Sequence, residues 1–161
     1  MRRLFIAIDL PNNVIDDIEK RISILRQKII GKFVKKENLH ITLLFLGDTK
    51  LEIEKIIAVL KGIDFNRKIE LNGAGAFPSF NHASVLFIDV KTDLSDIYYN
   101  LCKLLDVKIV ENFHPHITVC RLNDESLDTE SYAALSNMNE EFSAKKLSLF
   151  NSDLKRYYRL F

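Results

Sequence analysis

Apolar residues change their spacing several times along the chain, and each change marks an element. From Arg3 to Leu10 they run almost unbroken, as in a buried strand, and Pro11-Asn12 stop the run. Val14, Ile15, Ile18, Ile22, Leu25 and Ile29 then recur at helical spacing, which predicts an amphipathic helix from about Asn13 to Ile30, ended by Gly31. Phe33 to Lys35 reads as a short strand and Leu39 to Leu46 as a clearer one, closed by a turn at Gly47-Asp48. Thr49 and Glu52 have capping-box spacing ahead of a second helix whose apolar face is Leu51, Ile53, Ile56, Ile57 and Leu60. Strands follow at Lys68 to Ala76 and Ala83 to Val90, with Gly73, Gly75 and Pro78 marking the bend and loop between them. Leu94, Ile97, Tyr98, Leu101 and Leu105 define a third helix. After it come a strand from His116 to Leu122, a weak helix near Glu130 to Met138, and strands near Phe142 to Phe150 and Tyr157 to Phe161.

This order predicts an α+β or mixed α/β protein. A faint repeat lies inside it. His40 to Asp48 reads HITLLFLGD and His116 to Asp124 reads HITVCRLND, each on a strand before a turn, as a duplicated half-domain would give. With 161 residues, 47% of them hydrophobic, residues 1–161 suit one compact domain or two small lobes sharing a core. Cys102 and Cys120 form neither a CxxC nor a zinc pattern, which fits a reducing compartment. The apolar start is interrupted by Asp9 and Pro11 too early for a signal peptide, and no run reaches the roughly 18 residues of a membrane span, so the expected setting is cytoplasmic. The net charge of +1 excludes a generally basic nucleic-acid coat. The groups Lys28, Lys32, Lys35, Lys36 and Lys145, Lys146, Lys155, Arg156, Arg159 read as solvated faces.

The chemistry lies in His-x-Thr, present twice. Side chains alternate along a strand, so His40 and Thr42 share one face and Ile41 and Leu43 the other, as do His116 and Thr118 against Ile117 and Val119. If two such halves pair about a pseudo-twofold axis, two imidazoles and two hydroxyls converge on one cleft. One neutral imidazole takes a proton from water, one protonated imidazole gives a proton to a leaving oxygen, and hydroxyls donate to non-bridging oxygens: the requirements of a phosphodiester. Of the remaining histidines, His82 reads as a loop residue and His114 as a structural or loop residue. Strict alternation places Arg121 off the cleft face and Cys120 on it, so Arg121 needs a bulge or a strand end to reach the phosphate. Three rivals compete: a zinc hydrolase using His114, His116 and His40, a Cys120 nucleophile, and a non-catalytic nucleotide- or RNA-binding module.

The stretches from His40 to Gly47 and from Phe113 to Arg121 resemble the paired H-x-T-x signatures of the 2H phosphoesterase superfamily. The nearest branch in appearance is the RNA 2′,3′-cyclic phosphodiesterases, also called 2′-5′ RNA ligases. The opening from Arg3 to Pro11, the loop from Ala76 to Ser79, and the segment from Leu149 to Leu154 with Tyr158 near the end are similar to that branch as well. The resemblance implies a two-lobed α+β fold with pseudo-twofold symmetry, antiparallel sheets lining a central groove and helices outside. It implies hydrolysis of RNA 2′,3′-cyclic phosphate ends to 2′-phosphomonoesters by a monomer needing neither metal nor cofactor, with 2′-5′ ligation as the reverse direction. On that resemblance His40 is the proton donor to the 3′ oxygen, His116 the proton acceptor, and Thr42, Thr118 and Arg121 hold the phosphate. Two departures stand out. Asn81 to Val85 replaces a common Pro-Arg-Val stretch, and no Gly-Pro precedes Tyr158.

Overall fold

The computed structural model describes residues 2–153 and 156–161. Met1, Leu154 and Lys155 lie outside the described residues, and with them part of the second basic group and of the last family-like segment. The elements, in order, are β1 (Arg3–Asp9), α1 (Asn12–Leu25), β2 (Lys32–Phe33), a 3-10 turn at Lys36–Asn38, β3 (His40–Gly47), α2 (Ile53–Lys61), β4 (Arg67–Pro78), β5 (Ala83–Val90), α3 (Ser95–Leu105), β6 (His116–Glu125), α4 (Ala133–Ser136), β7 (Asn139–Ala144), β8 (Ser148–Ser152) and β9 (Tyr157–Arg159). Among the described residues the strands form two antiparallel sheets, ordered β3-β1-β8-β9 and β2-β6-β5-β4-β7. The fold is α+β, as expected. No described helix is long and apolar enough to cross a membrane.

Each sheet turns one face to a core and one to the groove where β3 and β6 meet. On β1 the core face is Leu4, Ile6 and Ile8, all fully buried, and the alternate face carries Arg3, Phe5, Ala7 and Asp9. The helices are exchanged between the halves. Helix α1 follows β1 of the first sheet but packs on α4, which lies against β4 of the second. Arg21 of α1 donates to the Ala134 carbonyl at 2.8 Å. Helix α3 follows β5 of the second sheet but packs on β3 of the first, with α2 beside it. The buried residues accordingly form one cluster running through both sheets.

Several boundaries differ from expectation for identifiable reasons. Helix α1 stops at Leu25 rather than Ile30, because Gln27 and Lys28 bond back only three residues, to Ile24 and Leu25, tightening the chain into turns. Thr49 and Glu52 form no capping box. Thr49 accepts from the Leu51 N–H at 3.1 Å instead, and Glu52 precedes α2 with no side-chain cap. Gly73 and Gly75 lie inside β4 rather than in a loop, at a register shift between Leu71 and Ala74 where Gly73 takes φ 81°. The expected helix from Glu130 to Met138 shrinks to the single turn α4. The one strand read from Phe142 to Phe150 is two strands in different sheets. Phe142 and Ala144 are buried on the second, Ser148 and Leu149 on the first, and exposed Lys145-Lys146 mark the crossing.

Candidate active site

The two halves build the same local structure. On β1 and β3, Asp9 faces His40 and Ala7 faces Thr42. On β5 and β6, Asp89 faces His116 and Phe87 faces Thr118. The register then slips at the equivalent place in each half: Ile6 faces Leu44 with Leu43 unmatched, and Leu86 faces Cys120 with Val119 unmatched. These are β-bulges, and each buries two consecutive residues, Leu43-Leu44 and Val119-Cys120. Beyond the bulge the parity is reversed. Phe45 and Arg121, equivalent residues of the two halves, therefore return to the groove face and are exposed there. The bulge that brings Arg121 in also takes Cys120 out. Cys120 does not share the face of His116 but is fully buried, beneath Gly31, and burial pushes its thiol pKa up to about 11.

One cavity of about 240 Å³ is lined by His40, Thr42, Phe45, His116, Thr118 and Arg121, together with Phe77 and Tyr157. Every residue expected to bind phosphate or move a proton faces this cleft. The imidazoles are held alike. His40 Nδ1 donates to the Asn38 carbonyl at 2.6 Å, and His116 Nδ1 donates to the His114 carbonyl at 2.7 Å. A carbonyl only accepts, so the proton sits on Nδ1 and Nε2 is left for chemistry. Thr42 Oγ1 lies 2.8 Å from His40 Nε2. Aromatic walls set the ring planes. Phe5 stacks on His40 at 4.9 Å and Tyr157 meets its edge at 5.4 Å. Phe77 and Phe87, stacked on each other, stand 5.0 and 5.1 Å from His116.

Burial holds both imidazoles below the usual histidine pKa, chiefly by desolvating the charged form. The carbonyl bonds and the facing carboxylates, Asp9 for His40 and Asp89 for His116, pull upward. Arg121 pushes both down, and His116 and His114 push down His40 and His116 respectively. Burial would raise the Asp9 pKa, but Arg159 at 2.6 Å and Ser148 at 2.7 Å donate to its carboxylate, and the net shift is downward. Asp89 takes His114 Nε2 and Lys91 Nζ, each at 2.9 Å.

Arg159 is thus no solvated charge, as its sequence group suggested: it ties Asp9 to Ser148 and lies over the Phe150 ring at 4.8 Å. His114 precedes β6, its Nε2 on Asp89 and its carbonyl on His116 Nδ1. His82 is exposed in a loop, its Nδ1 3.1 Å from Asp124. Among the described residues no three His, Cys, Asp or Glu side chains are placed to hold one metal ion. Sequence reasoning missed Tyr157, Phe5 and Asp9. Tyr158, named only as part of the family-like end, donates to Asp153 at 3.1 Å, while Tyr157 lines the cleft. Phe5 and Asp9 were legible, because alternation along β1 places both on the face opposite Leu4, Ile6 and Ile8.

The comparisons agree with this geometry. The family model described as LigT like Phosphoesterase matches twice, at residues 8–87 and 89–157, once for each half. The chain is 34% identical over 160 residues to the RNA 2′,3′-cyclic phosphodiesterase of Methanocaldococcus jannaschii, covering 94% of this chain and 92% of that protein. It is 30% identical over 158 residues to the protein of the same name from Aquifex aeolicus, covering 89% and 82%. A crystal structure from Thermus thermophilus superposes with a TM-score of 0.82 at 23% identity, over 99% of this chain and 95% of that one. Escherichia coli LigT complexed with 3′-AMP superposes with a TM-score of 0.73 at 25% identity, again over 99% and 95%.

Proposed function

The chain belongs to the LigT-like phosphoesterases, and we propose that it opens 2′,3′-cyclic phosphates at RNA ends to 2′-phosphomonoesters by two-histidine acid–base catalysis. The observation that carries this reading is the delivery of two imidazoles, two threonine hydroxyls and one guanidinium to a single cavity by two equivalent strands. The names of its relatives supply the substrate class.

In this mechanism His116 Nε2 takes a proton from water as the oxygen attacks phosphorus. The bond from phosphorus to the 3′ oxygen breaks, and His40, protonated on Nε2, gives that oxygen its proton. The product carries a 2′-phosphate and a free 3′-hydroxyl. Thr42 and Thr118 donate to non-bridging oxygens, and Arg121 balances the charge that builds on them. The choice of His40 as donor and His116 as acceptor rests on the family resemblance. Each acid or base contributes about 10²–10⁴-fold. All these groups come from one chain, so the reading is of a monomer needing no metal or cofactor. Two free, buried thiols fit a cytoplasmic setting.

The test is phosphorus NMR of the product from adenosine 2′,3′-cyclic phosphate in EDTA. The expected outcome is turnover to the 2′-phosphate alone. Accumulation of the 3′-phosphate overturns the assignment of His40 to the 3′ oxygen. Loss of turnover in EDTA with recovery in zinc overturns the metal-free mechanism.

A further inference from the structure

A second cavity, of about 450 Å³, adjoins the catalytic cleft and shares His40, Phe45, Arg121 and Tyr157 with it. Its remaining lining includes Arg3, Phe5 and Asp48. Two guanidiniums and one carboxylate therefore face the same space. Among the described residues neither Arg3 nor Arg121 has a carboxylate within ion-pair distance, nor does Asp48 have a cation. The two cations outnumber the one carboxylate, so the aromatic-walled cavity keeps a positive charge that an entering anion balances.

The placement of Arg3 is specific. It begins β1, an inner strand of its sheet, opposite Ser152 of β8 and one residue before the pairing with β3 starts at Leu4. It shares the groove face with Phe5 and Asp9. Ala7, opposite Thr42, marks the catalytic phosphate along the same strand. Arg3 stands four positions before Ala7, about 13 Å along the strand, and an extended arginine side chain can span part of that distance. Arg3 lines the same cavity as Phe5, Phe45 and Tyr157, and the last two also line the catalytic cleft.

We infer that this cavity is a second anion subsite, in which Arg3 receives the phosphate on the 5′ oxygen of the terminal nucleotide while Arg121 attends to the cyclic phosphate. The inference rests on the cyclic phosphodiesterase reading above and names the preferred substrate within it: an RNA end bearing a 5′-linked phosphate, rather than a bare cyclic nucleoside phosphate. One guanidinium–phosphate contact changes kcat/KM by about tenfold to a hundredfold.

The experiment compares kcat/KM for adenosine 2′,3′-cyclic phosphate, the same nucleotide carrying a 5′-phosphate, and a diadenosine ending in a 2′,3′-cyclic phosphate. In the unaltered protein both substrates with a 5′-linked phosphate should exceed the bare one by that factor. An advantage confined to the dinucleotide assigns the subsite to an internal phosphodiester, and one confined to the 5′-phosphate assigns it to a monoester. In Arg3→Ala the ratios should fall toward one, and Arg3→Lys should keep part of them, with circular dichroism confirming the folded state of each. Equal kcat/KM for all three substrates in the unaltered protein overturns the inference while leaving the cyclic phosphodiesterase reading intact, as does an undiminished ratio in Arg3→Ala. Absence of turnover on every substrate overturns both.

Discussion

Each imidazole is fixed by the carbonyl two residues upstream; His40 Nε2 meets Thr42 Oγ1 at 2.8 Å, and His116 and Thr118 line the same cleft. His40→Ala and His116→Ala should each lower kcat by about 10²–10⁴-fold, and the double substitution by less than the product, because acid and base act in one step. Single-turnover kinetics checks this; multiplicative losses would mean the two act independently. Thr118→Val removes a donor to a charged oxygen, worth about 1.5–3 kcal/mol in the transition state, and should spare the melting temperature because the hydroxyl faces the groove. Cys120→Ser tests the opposite placement. A hydroxyl in that apolar site should cost stability of about 1–3 kcal/mol while leaving kcat within about twofold. The pH profile follows from the depressed pKa values of both imidazoles. One must be charged and one neutral, so the rate falls on both sides of an optimum. For kcat/KM, which reports the free enzyme, both limbs lie below the ordinary histidine value of about 6.5. A bound phosphate anion stabilises both charged imidazoles, so the kcat profile should be displaced to higher pH. Coincident profiles would show that the phosphate does not sit between the two rings.

At the scale of elements, the paired strands and the two His-x-Thr faces were legible because period-two alternation holds from His40 to Thr42 and from His116 to Thr118. It fails one residue later in each half, at Leu43 and Val119. A bulge inserts a residue without leaving a mark in composition, so alternation alone mistook both Arg121 and Cys120. The same limit hid the break between β7 and β8. Phe142 to Phe150 is a plausible single strand until two sheets compete for its ends. Tyr157 and Tyr158 differ only in parity, which the short β9 does not reveal in isolation. Gly75 shows how closely β4 and β5 are matched. A Cβ there would lie 2.3 Å from Phe87 Cζ, and the Phe87 ring is one wall of the His116 site. Gly75→Ala must displace that ring. The expected result is an overpacking cost of about 1–3 kcal/mol with a disproportionate drop in kcat, read from thermal unfolding and turnover on the same sample. Unchanged kcat would show that the Phe87 wall does not hold the imidazole.

Across the whole molecule, the half-buried imidazoles link folding to pH. Their folded-state pKa values lie below the unfolded value, so between the two the unfolded chain binds more protons and stability rises with pH. The contribution is complete above about pH 6.5 and is lost as pH falls through the depressed values. Asp9, also held below its usual 3.8, adds a second loss at lower pH. Urea unfolding between pH 7.5 and 3 should show both declines, with inorganic phosphate diminishing the first; a flat curve from about pH 7 to 5 would contradict the burial of the imidazoles. The exchanged helices bear on turnover in a different way. Because α1 packs on α4 and α3 on β3, swinging one sheet from the other would break those contacts. The groove therefore works as a fixed gauge rather than a jaw. A substrate that matches its span should then bind without the sheets closing on it.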